Sequence, residues 1–198
     1  LDKTIYVDKG NSITVKPGAV IKGNDAASTT VFSALVVQRG GKIFAAGTKE
    51  CPIIFTSSAD PLDGTYSLCN KGKWGGIVIL GTATNNLHCP DNCGGTKLGQ
   101  SEGVGAIEGF AVNPRVFFGA GAADAAGFTA FDDNDNSGIF QYVSIRHAGE
   151  TYSGLAGNEV NGLTLGSVGR GTTIDHVEVI ACDDDAFEMF CGTVNLKY

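Results

Sequence analysis

Apolar runs of only four to six residues fill the N-terminal part of the chain: TIYV, SITV, GAVIKG, ALVVQ, KIFAAG and PIIFTS, each bounded by Gly, Pro, Asn or Lys. Runs this short do not make helices, and their β-branched residues favour extended backbone. They also recur. Val15 to Val37 spans 22 residues, Ile21 to Ile43 another 22, and Ile53 to Ile77 spans 24. A spacing in the low twenties predicts a solenoid, in which each repeat buries its apolar face only against its neighbours.

The C-terminal part repeats more openly. NGLTLGSVGRGTTIDHVEV can be laid on DAFEMFCGTVNLKY with Leu163 over Phe187 and Gly171 over Gly192, as expected for adjacent turns of one coil. Alternation in Ile174-Asp175-His176-Val177-Glu178-Val179 has period two, and the 29 glycines interrupt every candidate helix. Between Thr82 and Ser137 the repeat gives way to a Gly/Ala/Asn-rich stretch, so one domain over 1–198 with an insertion at about 82–138 is expected. NPRVFF within it offers Phe117 and Phe118 either to lateral contacts or to burial against the coil.

Charge narrows the partners. The net charge is −7 and the 14 Lys and Arg are scattered, so nothing forms a basic stripe for nucleic acid or anionic headgroups. No apolar run approaches the roughly 20 residues that span a bilayer, so membrane insertion is not expected. Leu1-Asp2-Lys3 does not open a secretory signal, and the chain reads as a processed, mature form. Six cysteines without zinc-type CxxC pairs predict three disulfides and an extracellular or cell-surface location. Fifteen pairings exist; the sequence-local one joins Cys51 with Cys69, Cys89 with Cys93, and Cys182 with Cys191. A metal knuckle of His88, Cys89 and Cys93 is the alternative for the second pair.

The string ALVVQRGGKIFAAGT, PIIFTS, WGGIVILG, DNSG, YVSIRHAG, NEVNGLTLGSVGRGTTIDHVEVIA and DDAFEMFCGTVNLKY resembles a family of secreted or surface-anchored bacterial right-handed parallel β-helix proteins. The resemblance covers most of 30–81 and 136–198. It implies an all-β, right-handed parallel β-helix with a stacked apolar interior, and it implies no particular activity.

Asp184-Asp185 followed after six residues by Gly192 also resembles the Asp pair of pectin-cleaving β-helix glycoside hydrolases. Inverting hydrolysis needs a further carboxylate across the scissile bond. In that family it stands one turn earlier, where this chain has Asn161, and an amide cannot take its role. The His-Gly and basic motifs of those enzymes are not found either, so a solvated polar corner is preferred to a catalytic Asp184 and Asp185.

Asp133, Asp135 and Ser137, with Gly138 after them, fit the opening of a calcium loop, although the twelfth position is Ser144, not an acid. A polar turn at the coil entry is the alternative. His147 and His176 lie in strands as outward-facing bases or as structural residues. Trp74 either stacks on a sugar or covers the coil.

Both ends of the chain begin or finish in strand-forming residues without a capping helix, and uncovered coil ends present unpaired backbone groups. Complementary open ends favour head-to-tail assembly. The expected function is therefore an extracellular structural subunit that assembles with copies of itself into a filament or surface layer, with no cofactor apart from calcium. The competing class is a carbohydrate-binding or polysaccharide-degrading β-helix protein, which as an enzyme would be a glycoside hydrolase or lyase acting on acidic polysaccharide.

Overall fold

The computed structural model describes residues 1–25, 33–88, 103–122, 124–151 and 159–198. Its strands wind into a three-faced coil. The first face holds β1 (Ile5–Val7), β4 (Ala34–Val37), β7 (Gly76–Leu80), β11 (Leu163–Val168) and β13 (Phe187–Gly192), all parallel and in that order. The second face pairs β2 (Ser12–Val15), β5 (Lys42–Ala46), the start of β10 (Gly138–Arg146), the start of β12 (Thr173–Ile180) and β14 (Asn195–Lys197). The third pairs β3 (Val20–Gly23), β6 (Ile53–Ser57) and the second halves of β10 and β12. The expected parallel β-helix is what forms.

β10 and β12 serve two faces because each bends sharply at one residue. Tyr142 (φ 48°) and His176 (φ 50°) stand in the left-handed region and drop out of an otherwise continuous ladder. Positive φ in a residue with a Cβ is uncommon and marks a corner that the flanking strand pairs hold in place.

Side chains alternate across these strands, so each face sends every second residue inward. Leu35, Val37, Ile77, Ile79, Leu163 and Leu165 enter from the first face; Ile43, Ala45, Phe140 and Ile174 from the second; Ile53, Phe55, Val143 and Ile145 from the third. All are buried, and they stack coil upon coil. Trp74 joins them, fully buried, with its ring stacked 6.4 Å from Phe55 and its Nε1 donating to Arg146 O at 2.8 Å.

The register corrects the expected N-terminal spacing. Val37 lies beside Val7, not in register with Val15, and Ile43 lies beside Ile13, not Ile21; both intervals are 30 residues. Ile77 pairs with Leu35 and Leu163, whereas Ile53 belongs to another face and pairs with Val143. The 22-residue spacing linked apolar strands on different faces, which look alike in sequence. At the C-terminal end Leu163 does lie beside Phe187, 24 residues on. Gly192 lies beside Val168, not Gly171, because the offset of 24 holds to the end of β13. Only beyond it, where the turn after β13 is shorter than the turn after β11, does the offset fall to 22 at Thr173 and Asn195.

The insertion leaves the coil after β7 and re-enters at β10. Its strands β8 (Val104–Ala106) and β9 (Phe117–Gly119) form an antiparallel pair that lies on the outer side of the first face. Ile107, Phe110, Val116 and Phe118 meet Val36, Val78, Leu80 and Val160 there, making a second buried cluster. This explains why ALVV and GIVIL are apolar throughout: both sides of these strands are covered. Phe118 is buried, 5.6 Å from Phe190, and Phe117 is half-buried, so these aromatics serve the interior and not lateral contacts.

A buried ion pair fastens the insertion. Arg39 donates to Asp124 Oδ2 at 2.6 Å and to Gly119 O at 2.8 Å, and its guanidinium lies 4.7 Å from the centre of the Phe128 ring. Gly119 has φ 84°, and a Cβ on it would come within 2.1 Å of Gly103 O, so only glycine fits this crossing.

Candidate functional site

The turn between β12 and β13 carries Asp183, Asp184 and Asp185, and the structure separates them. Asp183 turns to Lys71, with Oδ1 2.5 Å from Nζ. Asp185 lies one coil beyond Asn161: its N donates to Asn161 Oδ1 at 3.0 Å, and Gly162 N donates to Asp185 O at 2.9 Å. The overlay that put Asn161 in the place of a third carboxylate is therefore the actual register.

Asn161 is buried, and its amide donates to Glu188 Oε2 at 2.5 Å. Glu188 stands beside Thr164 of β11 on the side of β13 that meets the insertion, where the loop after β8 supplies Glu108. Burial, then the charge of Glu108 and a hydrogen bond with it, then the charges of Asp185 and Asp184, push the Glu188 carboxyl up to about 7. Asp184 is raised too, by burial first and then by Asp185, Glu159 and Asp183.

Like charges at close quarters do not all ionise together, so Glu188 holds its proton to higher pH than an ordinary carboxyl. Such a site can donate a proton through one carboxyl and accept one through another, the requirement of general acid–base chemistry. The sequence drew attention to Asp184 and Asp185 but not to Glu188 or Glu108. Glu188 carried a signal, an acid at an outward position of the apolar strand AFEMF. Glu108 carried none, because only the folding-back of the insertion brings it here.

The other expected sites fare differently. Asp133 accepts from Thr84 N at 2.9 Å and faces Arg170 at 3.5 Å; the Thr84 bonds hold its carboxyl below the usual range. Asp135 accepts from Thr82 at 3.2 Å and from Ser137 at 3.3 Å, and burial raises it. Ser137 is buried beneath that bond. Asp135 and Ser137 bond to each other while Asp133 turns away to Thr84 and Arg170, and no group of three or more His, Cys, Asp or Glu among the described residues is arranged to hold a metal ion.

His147 is buried, with Nδ1 2.6 Å from Asn70 O and its ring edge-on to Tyr66, and is not an outward base. His176 does face outward. It is stacked between Tyr142 at 4.2 Å and Tyr198 at 4.8 Å, with Nδ1 bonded to the Asp175 carboxylate. Trp74, inside the coil, is no sugar platform.

Cys51, Cys69, Cys182 and Cys191 carry free thiols, so the expected pairs Cys51–Cys69 and Cys182–Cys191 are not formed. β6 lies between the partners of the first pair, and in the second Cys191 stands within β13, most of a strand away from Cys182. His88 closes a short 3-10 turn, Asn86–His88, while Cys89 and Cys93, the remaining expected pair, lie outside the described residues.

A family model described as a pectate-lyase like beta helix domain matches residues 1–198. Comparison with curated proteins and with solved structures gives no match.

Proposed function

Because the chain belongs to the pectate-lyase-like β-helix domain family, we propose that it is a polysaccharide-handling protein whose working site is the carboxylate cluster around Glu188. The observation that carries this is the gathering of Glu188 with Glu108, Asp184 and Asp185 around the buried Asn161, where the last coils meet the insertion, with the Glu188 carboxyl raised by burial and by their charge. In that role Glu188 protonates a glycosidic oxygen and a charged neighbour, Asp184 or Asp185, activates water or steadies the developing positive charge.

The substrate class follows from charge. A cluster of carboxylates on a chain of net charge −7 repels a polyuronate, so a neutral glycan suits it better than the acidic polysaccharide expected from sequence. Reducing-end release should be measured across neutral and acidic glycans, with Glu188→Gln and Asp184→Asn alongside. Release from a neutral glycan that both variants lose supports the proposal. Neither release nor retardation in affinity gels with any glycan defeats it. The strand-and-turn fold and six cysteines support a place outside the cell, which fractionation of the native source tests.

Self-assembly with copies of the chain is the second function considered. It draws on an apolar cavity of about 310 Å³ beside β14, lined by Ile174, Val177, Phe187, Leu196, Lys197 and Tyr198. A further coil would fill the same space, which ranks a filament or surface-layer role below the first. Sedimentation velocity at rising concentration tests it: a single 20.4 kDa species throughout counts against assembly.

A further inference from the structure

Two of the four free thiols among the described residues flank one junction of the coil. The loop before β7 is fastened to the residues that follow β10: His147 Nδ1 lies 2.6 Å from Asn70 O, Gly72 N donates to Ala148 O at 3.0 Å, and Lys73 N donates to His147 O at 2.8 Å. The turn after β12 meets the same residues. Asp183 N donates to the same Ala148 O at 3.0 Å, and Cys182 Sγ would lie 2.9 Å from a Cβ placed on Gly149.

One carbonyl thus gathers both segments. A Cβ on Gly72 would stand 3.2 Å from Cβ of Asp183, and Lys71 closes the contact through its 2.5 Å ion pair with Asp183. Lys71 senses both sulfurs: its pKa is raised by the hydrogen bond and charge of Asp183 first, then by Cys182 and Cys69. Cys51 has no such access, because β6 runs from its side of the coil to this corner, five residues or about 16 Å. Cys191 stands near the far end of β13 and bonds to Asn86 Oδ1 at 3.1 Å.

We infer that Cys69 and Cys182 form a disulfide under oxidising conditions, tying the loop before β7 to the turn after β12. Cys69 is exposed and supplies the first thiolate, while burial pushes the Cys182 thiol up. The oxidant is a small disulfide such as oxidised glutathione. The Cys69 thiolate attacks it, breaking its S–S bond and releasing one thiol as a mixed disulfide forms. Cys182 then loses its proton and attacks Cys69 Sγ, expelling the second thiol. Two S–H bonds are lost, one protein S–S bond forms, and the oxidant takes up two electrons. The bond joins positions 113 residues apart, a separation at which a cross-link restricts the unfolded chain strongly.

The test treats the full chain with oxidised glutathione, alkylates remaining thiols, and cleaves the denatured protein before aspartates, which puts Cys51, Cys69, Cys182 and Cys191 on four different peptides. The expected result is a cross-linked pair of peptides containing Cys69 and Cys182 that separates on reduction, with Tm raised by roughly 5–10 °C before reduction. Cys69→Ser and Cys182→Ser should each abolish both effects, and Cys51→Ser neither. Cys69 found alkylated after oxidation, or bonded to any other cysteine, overturns the inference.

Discussion

Asn161 holds two groups of the next coil at once: its Oδ1 accepts from Asp185 N at 3.0 Å while its Nδ2 donates to Glu188 Oε2 at 2.5 Å. The amide is the one side chain of this size that both accepts and donates without charge. It is therefore a positioning residue, which fixes Glu188 against the turn that carries Asp185.

Asn161→Asp should be costly in spite of its shape. It replaces a donor to Glu188 by another buried acceptor, which leaves lone pairs facing each other and adds charge to the cluster. A loss of about 2–3 kcal/mol at pH 8, shrinking toward pH 4, is expected from urea unfolding. Asn161→Ser, which restores a donor without a charge, should recover part of it.

Glu188 gives stability a pH dependence of definite sign. Its folded pKa of about 7 lies above the ordinary value of 4.5, so the native state binds the proton more tightly than the unfolded chain. Stability from this group is greatest at pH 4.5 and below and is lost as pH rises to about 7. Glu188 is half-buried, so solvent screening reduces the effect to about 1–2 kcal/mol. Glu188→Gln should flatten this slope and melt higher than the parent at pH 8 in a calorimetric series.

Arg39→Ala should loosen the insertion. It leaves Asp124, buried alongside it, without its counter-charge and removes the donor to Gly119 O. Breaking such a pair costs about 3–5 kcal/mol. Urea unfolding should show that loss, and brief proteolysis should cut within the insertion before the coil.

Trp74 is the single tryptophan, so its fluorescence reports on the coil interior. Emission should be blue-shifted, resist acrylamide quenching and ignore added sugars. Trp74→Phe should cost about 1–2 kcal/mol through the lost bond to Arg146 O, and Trp74→Ala about 3–5 kcal/mol through the cavity left against Phe55.

The strands were legible because each is a short β-branched run between turn residues, and Leu163 over Phe187 was legible because those coils differ by few residues. The N-terminal register was not. Val15, Val37, Ile21 and Ile43 are equally apolar on whichever face they stand, and turns of unequal length hide the period. Asp184, Asp185 and Asn161 could be placed by overlay. Glu108 could not, since its position depends on Arg39 and Phe118 drawing a remote segment onto the coil. The pairs Cys51–Cys69 and Cys182–Cys191 failed for a related reason: closeness along the chain is misleading where all or most of a strand separates neighbours in sequence.

β7 and β10 keep their places in the coil although residues 81–137 intervene: β7 still pairs with β4 and β11, and β10 with β5 and β6. A rung is defined by three short strands and the rungs above and below it, while the chain between two faces carries no fixed length. Selection can therefore exchange or extend that excursion as a single cassette and change which chemical groups the first face presents, with no need to redesign the spine that bears it.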